Sequence, residues 1–178
     1  MHSRRATPAD AAVIAVIYNQ GIEDRIATFE TRPRSTEDVR TWFDGTHPVV
    51  VVEERGQIVA FASTSTYRPR ECYAGIAEFS VYAARAGRGQ GAGRVAMNAL
   101  LEAARAAGFW KLVSRVFVEN HASRALLKQM GFREVGVYER HARLDGVWRD
   151  TVIVERLIPE NQLDSDPSAA ASSASLAG

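Results

Sequence analysis

Apolar positions along this chain recur with two periods, and the places where one gives way to the other mark its elements. Thr7 and Pro8 read as a helix cap and first helical position. The run Ala11-Ala12-Val13-Ile14-Ala15-Val16-Ile17-Tyr18 continues them as a mostly buried helix, after a short first strand over Ser3 to Thr7. Periodicity then weakens, so Asn19 to Arg34 reads as a helical turn plus loop. Ser35-Thr36-Glu37-Asp38 opens a second helix that offers Val39, Trp42 and Phe43 to a core. Val49 to Glu53 and Ile58 to Ser65 are β-rich and flank the polar turn Glu54-Arg55-Gly56-Gln57, which predicts a hairpin.

Tyr67 to Tyr73, with Pro69, reads as a loop before a strand from Gly75 to Ala83. The helical period returns with Val95, Met97, Leu100, Leu101 and Ala104 and stops at Gly108. Lys111 to Val118 alternates as a strand, with Leu112, Ser114 and Val116 on one face and Val113, Arg115 and Phe117 on the other. A polar turn at Glu119-Asn120-His121 leads to a short helix from about Ala122 to Met130, stopped by Gly131. Phe132 to Arg143 is a further strand. Asp145-Gly146 is a hairpin turn that returns through Val152 to Leu157.

Strands interleaved with helices and closed by a hairpin predict an α/β fold of the α+β type. It is one mixed sheet in a single domain over residues 1–159. The Ser/Ala-rich residues 160–178 offer little apolar surface to bury and are expected to form a disordered tail. The 178 residues suffice for one domain with its own core.

A formal net charge of +1 and scattered arginines argue against a nucleic-acid binder held by charge. Cys72 is the only cysteine, which rules out an intrachain disulfide and a cysteine-rich metal site. His2, His47, His121 and His141 lack zinc-ligand spacing, so no metal is expected. No apolar run is long enough to span a membrane, and the N-terminus is polar, which makes the cytoplasm the default location.

The most informative local pattern is Arg88-Gly89-Gln90-Gly91-Ala92-Gly93, between the strand ending at Ala83 and the helix beginning near Val95. Glycines permit a tight turn and close ligand approach, and the helix start aims unpaired N–H groups at an anion. No Lys-Ser or Lys-Thr follows, so a P-loop is not met. The third position of a dinucleotide fingerprint counted from Gly89 is Arg94, not glycine.

This spacing, with Glu78-Phe79-Ser80-Val81-Tyr82 before it and the stretch Ser114 to Phe132 after it, resembles the GCN5-related N-acetyltransferase (GNAT) superfamily. Gly146-Val147-Trp148-Arg149-Asp150, Ile14 to Asn19, Thr28-Phe29-Glu30 and Glu37 to Phe43 are similar to its phosphinothricin and arsinothricin N-acetyltransferase branch. The resemblance covers residues 3 to 158.

It implies acetyl-CoA as co-substrate, held at the pyrophosphate by Gly89, Gln90, Gly91, Ala92 and Gly93 with Arg88 or Arg94 at the rim. Val81 and Ala83 would offer strand backbone to the pantetheine, and Asn120 and Ser123 would contact the cofactor side. Asn120 reads equally as a helix cap.

By the same resemblance Glu78 is the general base, taking a proton from the acceptor amine directly or through water. Many relatives carry a tyrosine four residues before the Gly-Phe pair to protonate the leaving thiolate; this chain has Leu127 there. Tyr82 and Tyr138 are weak substitutes. Arg70 and Tyr73 are the expected partners of an anionic acceptor, with Phe29 and Glu30 on the opposite wall and His141 nearby. The second arginine and the threonine usual before the glutamate are absent, since Ala74 to Ala77 offer neither.

The resemblance also implies a homodimer. The acceptor it suggests is a small amino-acid-like amine such as phosphinothricin, arsinothricin or methionine sulfoximine. A polyamine, an aminoglycoside or a protein N-terminus is the alternative, and a non-catalytic CoA-binding module is a third.

Overall fold

A single seven-stranded sheet organises the computed structural model, which describes residues 1–162. Its strands are β1 (His2–Arg5), β2 (Val49–Glu54), β3 (Gln57–Thr66), β4 (Ile76–Ala83), β5 (Lys111–Phe117), β6 (Arg133–Leu144) and β7 (Val147–Leu157). The spatial order is β1-β2-β3-β4-β5-β7-β6, and every neighbouring pair is antiparallel except β4 and β5. The helices are α1 (Ala11–Asp24), α2 (Thr36–Arg40), α3 (Ala92–Ala106) and α4 (His121–Gln129).

The unbroken run Val49 to Val52 is buried at every position, which requires cover on both faces of the sheet. Val50, Val52, Ala60 and Ala62 pack with Met97, Leu100 and Ala104 of α3. Val49, Val51 and Phe61 pack with Ile14, Ile17 and Tyr18 of α1 and Val39 of α2. Burying a side chain such as Met97 or Leu100 contributes about 1.5–3 kcal/mol. The expected mixed single-domain fold is observed.

Three local outcomes differ from the sequence reading. Helix α1 runs on to Asp24 and ends at Arg25, whose φ of 59° is left-handed. Gly21 lies within its last turns, where a Cβ would sit 2.5 Å from the Tyr82 ring; the missing side chain admits that ring. The loop 67–73 carries a 3-10 turn over Glu71–Tyr73. Beyond Pro159 the chain turns once more, and Asn161 Nδ2 donates to the carbonyls of Arg105 and Phe109 at 2.8 Å each. The rest of the expected tail, 163–178, lies outside the described residues.

The β6–β7 hairpin turns at Asp145 and Gly146, with φ of 49° and 80°. Most of β6 is exposed, including Val135, Val137 and Tyr138, and Val147 and Trp148 of β7 are exposed beside it. Trp148 carries the Arg143 guanidinium 4.6 Å from its ring centroid. Trp42 meets Tyr18 edge-on at 5.6 Å in the α1–α2 layer, and Trp110 packs over Gly75.

Candidate active site

The parallel pairing of β4 with β5 ends early. Ile76, Ala77 and Glu78 face Lys111, Leu112 and Val113, and no register continues beyond Glu78. From there β4 stays with β3 while β5 stays with β7, so the two central strands part. The Ala84 N–H goes to Val59 O of β3 at 2.8 Å. Alternation then turns the peptide groups of Val81 and Ala83 toward the gap. Arg88 Nε donates to the Ala83 carbonyl there at 3.3 Å.

Two cavities meet at this gap. One, of about 460 Å³, is lined by Gly87, Arg88, Gly89, Gly91, Ala92, Gly93, Arg94 and Gln129, among others. The second, of about 500 Å³, is lined by Phe29, Glu30, Ser80, Glu78, Arg115 and His141, among others. Val81, Tyr82, Asn120 and Ser123 line both.

The first cavity ends on a cradle of backbone donors. Gly89 and Gly91 have φ of 75° and 88°, which an L side chain resists. Gly91 caps α3, and its carbonyl accepts from Arg94 N and Val95 N. The N–H groups of Gly89, Gln90, Gly91, Ala92 and Gly93 find no acceptor among the described residues. Gly93 lies in the first helical turn, where a Cβ would come within 3.2 Å of Leu126 Cδ2. Successive orphan donors at a helix start fit an anion such as a pyrophosphate.

The side chains around the cradle divide the work unequally. Gln90 Nε2 donates to Ala86 O at 2.9 Å and so braces the loop. Arg88 and Arg85 are engaged with Asp24 at 2.6 and 2.7 Å. Burial pushes the Asp24 carboxyl up, and hydrogen bonds from both arginines outweigh it, leaving the group below its ordinary value. Arg94 bonds Gln129 and makes no ion pair among the described residues. Of the two candidate rim charges, Arg94 is therefore the free one; Arg88 ties the loop to α1.

Asn120 does two jobs. Its Oδ1 accepts from Ser123 N at 3.1 Å as the cap of α4. Its Nδ2 donates to Ile26 O at 3.0 Å, which fastens the loop after α1 across the mouth of both cavities. Asn19 holds the other end of that loop through reciprocal bonds with Arg34 at 2.9 and 2.8 Å. Phe29 is fixed edge-on against Phe117 at 4.7 Å and lies 6.3 Å from the His141 ring. Glu30 is paired with Arg34 at 2.7 Å.

Glu78 opens into the second cavity at the point where the strands part. Its side chain is half-buried and bonded to Arg115 Nη2 at 2.5 Å. Sequence reasoning missed this partner. The available signal was the alternation of β5, which sets Arg115 two positions beyond Val113, the register partner of Glu78, and hence on its face.

Arg70 and Tyr73 do not join the site. Neither lines either cavity; Arg70 is exposed at the start of the 3-10 turn, and the Tyr73 ring packs edge-on against Tyr67 at 5.9 Å. Gly75, whose Cβ would sit 1.9 Å from the Trp110 ring, packs the end of that segment against Trp110, whose N–H donates to the Gly75 carbonyl at 2.8 Å.

Leu127 is buried and faces the second cavity. Desolvation, followed by the proximity of Tyr18, pushes the Tyr82 phenol far above its ordinary value, which makes it a poor proton donor. Tyr138 stacks on His141 at 4.8 Å on the outer hairpin. No group of three potential metal ligands occurs among the described residues.

Residues 18–132 match the acetyltransferase (GNAT) family. The chain is 31% identical to the L-methionine sulfoximine/L-methionine sulfone acetyltransferase of Pseudomonas aeruginosa, over 94% of this chain and 96% of that one. Its structure superposes on the crystal structure of a ribosomal-protein-alanine N-acetyltransferase from Brucella melitensis with a TM-score of 0.84. Identity there is 31%, with coverage of 89% and 100%. A GNAT superfamily phosphinothricin acetyltransferase from Sinorhizobium meliloti, in complex with acetyl-CoA, gives a TM-score of 0.80 at 29% identity, covering 87% and 86%.

Proposed function

The chain belongs to the acetyltransferase (GNAT) family and uses acetyl-CoA to acetylate a small amine, and from that premise we propose an amino-acid-like acceptor with Glu78 as general base. The observation that carries this reading is the position of Glu78. It is a carboxylate at the divergence of β4 and β5, in a cavity that shares its lining with the glycine-loop groove. The similarity to a methionine sulfoximine acetyltransferase and a phosphinothricin acetyltransferase supports the acceptor class.

Acetyl-CoA supplies the thioester carbonyl as electrophile. The N–H groups of Gly89 to Gly93 would hold its pyrophosphate, with Arg94 at the rim, and the peptide groups of Val81 and Ala83 would take the pantetheine amides. Asn120 and Ser123 would close the passage between the two cavities. An ammonium has no lone pair for attack, so Glu78 Oε removes one proton from it, directly or through water. Leu127 provides no acid, and water would protonate the departing thiolate. Phe29 and His141 would shape the acceptor wall.

Exposed Val135, Val137, Tyr138, Val147 and Trp148 on the β6–β7 hairpin support a homodimer formed through that surface. A monomer in light scattering at assay concentration would contradict it. Among the described residues no helix is long and apolar enough to cross a membrane, and residence in the cytoplasm is part of this reading.

Thiol release from acetyl-CoA over a panel of amines tests the acceptor class. The panel contains methionine sulfoximine, phosphinothricin, arsinothricin, a polyamine, an aminoglycoside and a peptide with N-terminal alanine. Preference for the amino-acid analogues is expected. Preference for any of the last three would overturn the assignment, and release with none would favour the non-catalytic alternative.

A further inference from the structure

With Arg70 and Tyr73 outside the linings of both cavities, a partner for an anionic acceptor is sought among the lining residues themselves. The acceptor cavity contains one arginine among its described lining residues, Arg115. Only Nη2 of that guanidinium is engaged, on Glu78 Oε1; Nε and Nη1 have no hydrogen bond among the described residues. The side chain is 46% exposed within a lined cavity, so those donors are open to a solute. Glu30, the other acid in the lining, is occupied by Arg34. The charge left for a ligand is therefore a half-used guanidinium touching the carboxylate that takes the proton.

We propose that Arg115 is the acceptor-specificity residue, binding the α-carboxylate of an amino-acid acceptor on the guanidinium edge turned away from Glu78, through the second N–H of Nη2 and the adjoining Nε or Nη1, while the first N–H of Nη2 stays on Glu78. The inference rests on the amino-acid reading given above and deepens it. An α-amino acid bears its amine and carboxylate on one carbon. A cation in contact with the base matches that separation, because fixing the carboxylate on the free edge of Arg115 brings the amine beside Glu78. A guanidinium has five donors in a plane and can serve two carboxylates at once. The same charge opposes a polyamine or an aminoglycoside, whose further cations would be brought against Arg115. Ser80, two positions beyond Glu78 on the same face of β4, adds a hydroxyl to this corner of the cavity.

The test compares L-methionine sulfoximine with its α-carboxamide, in the wild type and in Arg115→Met and Arg115→Gln, by kcat and KM at saturating acetyl-CoA. A charged hydrogen-bonded pair predicts a wild-type preference for the carboxylate of roughly 10- to 100-fold in kcat/KM. Both variants should lose that preference through KM for the carboxylate form, whereas the loss of the Arg115 contact to Glu78 should appear in kcat and fall equally on both substrates. Calorimetry with acetyl-CoA reports whether each variant is folded, and two variants of different polarity guard against one failing to fold. An equal rise in KM for both substrates, or a preference that survives in both variants, would overturn the role of Arg115 and leave the amino-acid reading standing. A wild type that acetylates the panel's polyamine or aminoglycoside and neither methionine sulfoximine form would overturn both.

Discussion

The glycine loop and the acceptor cavity lie side by side and are built in opposite ways. In the function proposed here the loop would recognise its ligand with backbone N–H groups from the contiguous residues Gly89 to Gly93, placed by positive φ at Gly89 and Gly91. The cavity is lined by side chains from separate elements, Phe29 after α1, Glu78 on β4, Arg115 on β5 and His141 on β6, and in the proposed function it would recognise its ligand through them. A backbone cradle depends on where glycine is permitted and little on what surrounds it. A side-chain cavity depends on register, as the pairing of Glu78 with Val113 does in bringing Arg115 onto its face.

This contrast can be broken by substitutions that act on one region alone. The largest effect is expected at Glu78. Glu78→Gln should lower kcat by about 10²- to 10⁴-fold, the usual range for a positioned base, with the acetyl-CoA Kd within about twofold of wild type. A parallel loss of cofactor affinity would show that the two regions are not separable. Gly91→Val comes next. A β-branched residue at φ of 88° is strained, and the helix start must shift, so acetyl-CoA affinity should fall by about 10- to 100-fold in calorimetry. Native affinity would refute the cradle.

Asn120 joins the two regions and sharpens the comparison. Asn120→Ala removes the cap of α4, worth about 1 kcal/mol, and frees the loop at Ile26. Thermal stability should drop by a few degrees and KM should rise for both substrates; a change in KM for one alone would assign Asn120 to that region.

The smallest effect on activity is expected at Asp10, remote from both cavities. The hydrogen bond from Arg4 outweighs burial and holds its carboxyl at about 2, below the ordinary 3.8. The folded value is depressed, so the stability it supplies, about 2 kcal/mol, is fully present above 3.8 and is lost as pH falls from 3.8 toward 2. Asp10→Asn should cost about that much in denaturant unfolding at neutral pH and progressively less as pH falls through this window, with kcat unchanged. A fall in kcat would mean that general destabilisation reaches the site.

The fold was legible wherever its cause is local. The valine run of β2, the hairpin glycines and the glycine stops at 108 and 131 all report on near neighbours. The cradle was legible for the same reason. Other outcomes lay in long-range packing. Gly21 looks like a helix breaker until Tyr82 is seen against it, and Arg88 looks like a rim charge until Asp24 is seen beside it. Arg115 read as one alternating position of a strand, because the ion pair that makes it part of the site closes over 37 residues.

Steady-state turnover can be limited by product release, so the most direct test of direct base catalysis is a single turnover. Glu78→Gln, saturated with acetyl-CoA, is mixed with methionine sulfoximine and the rate of acetyl transfer is followed. The account predicts a chemical step at least about 100-fold slower than wild type. A step within about threefold of wild type would contradict it.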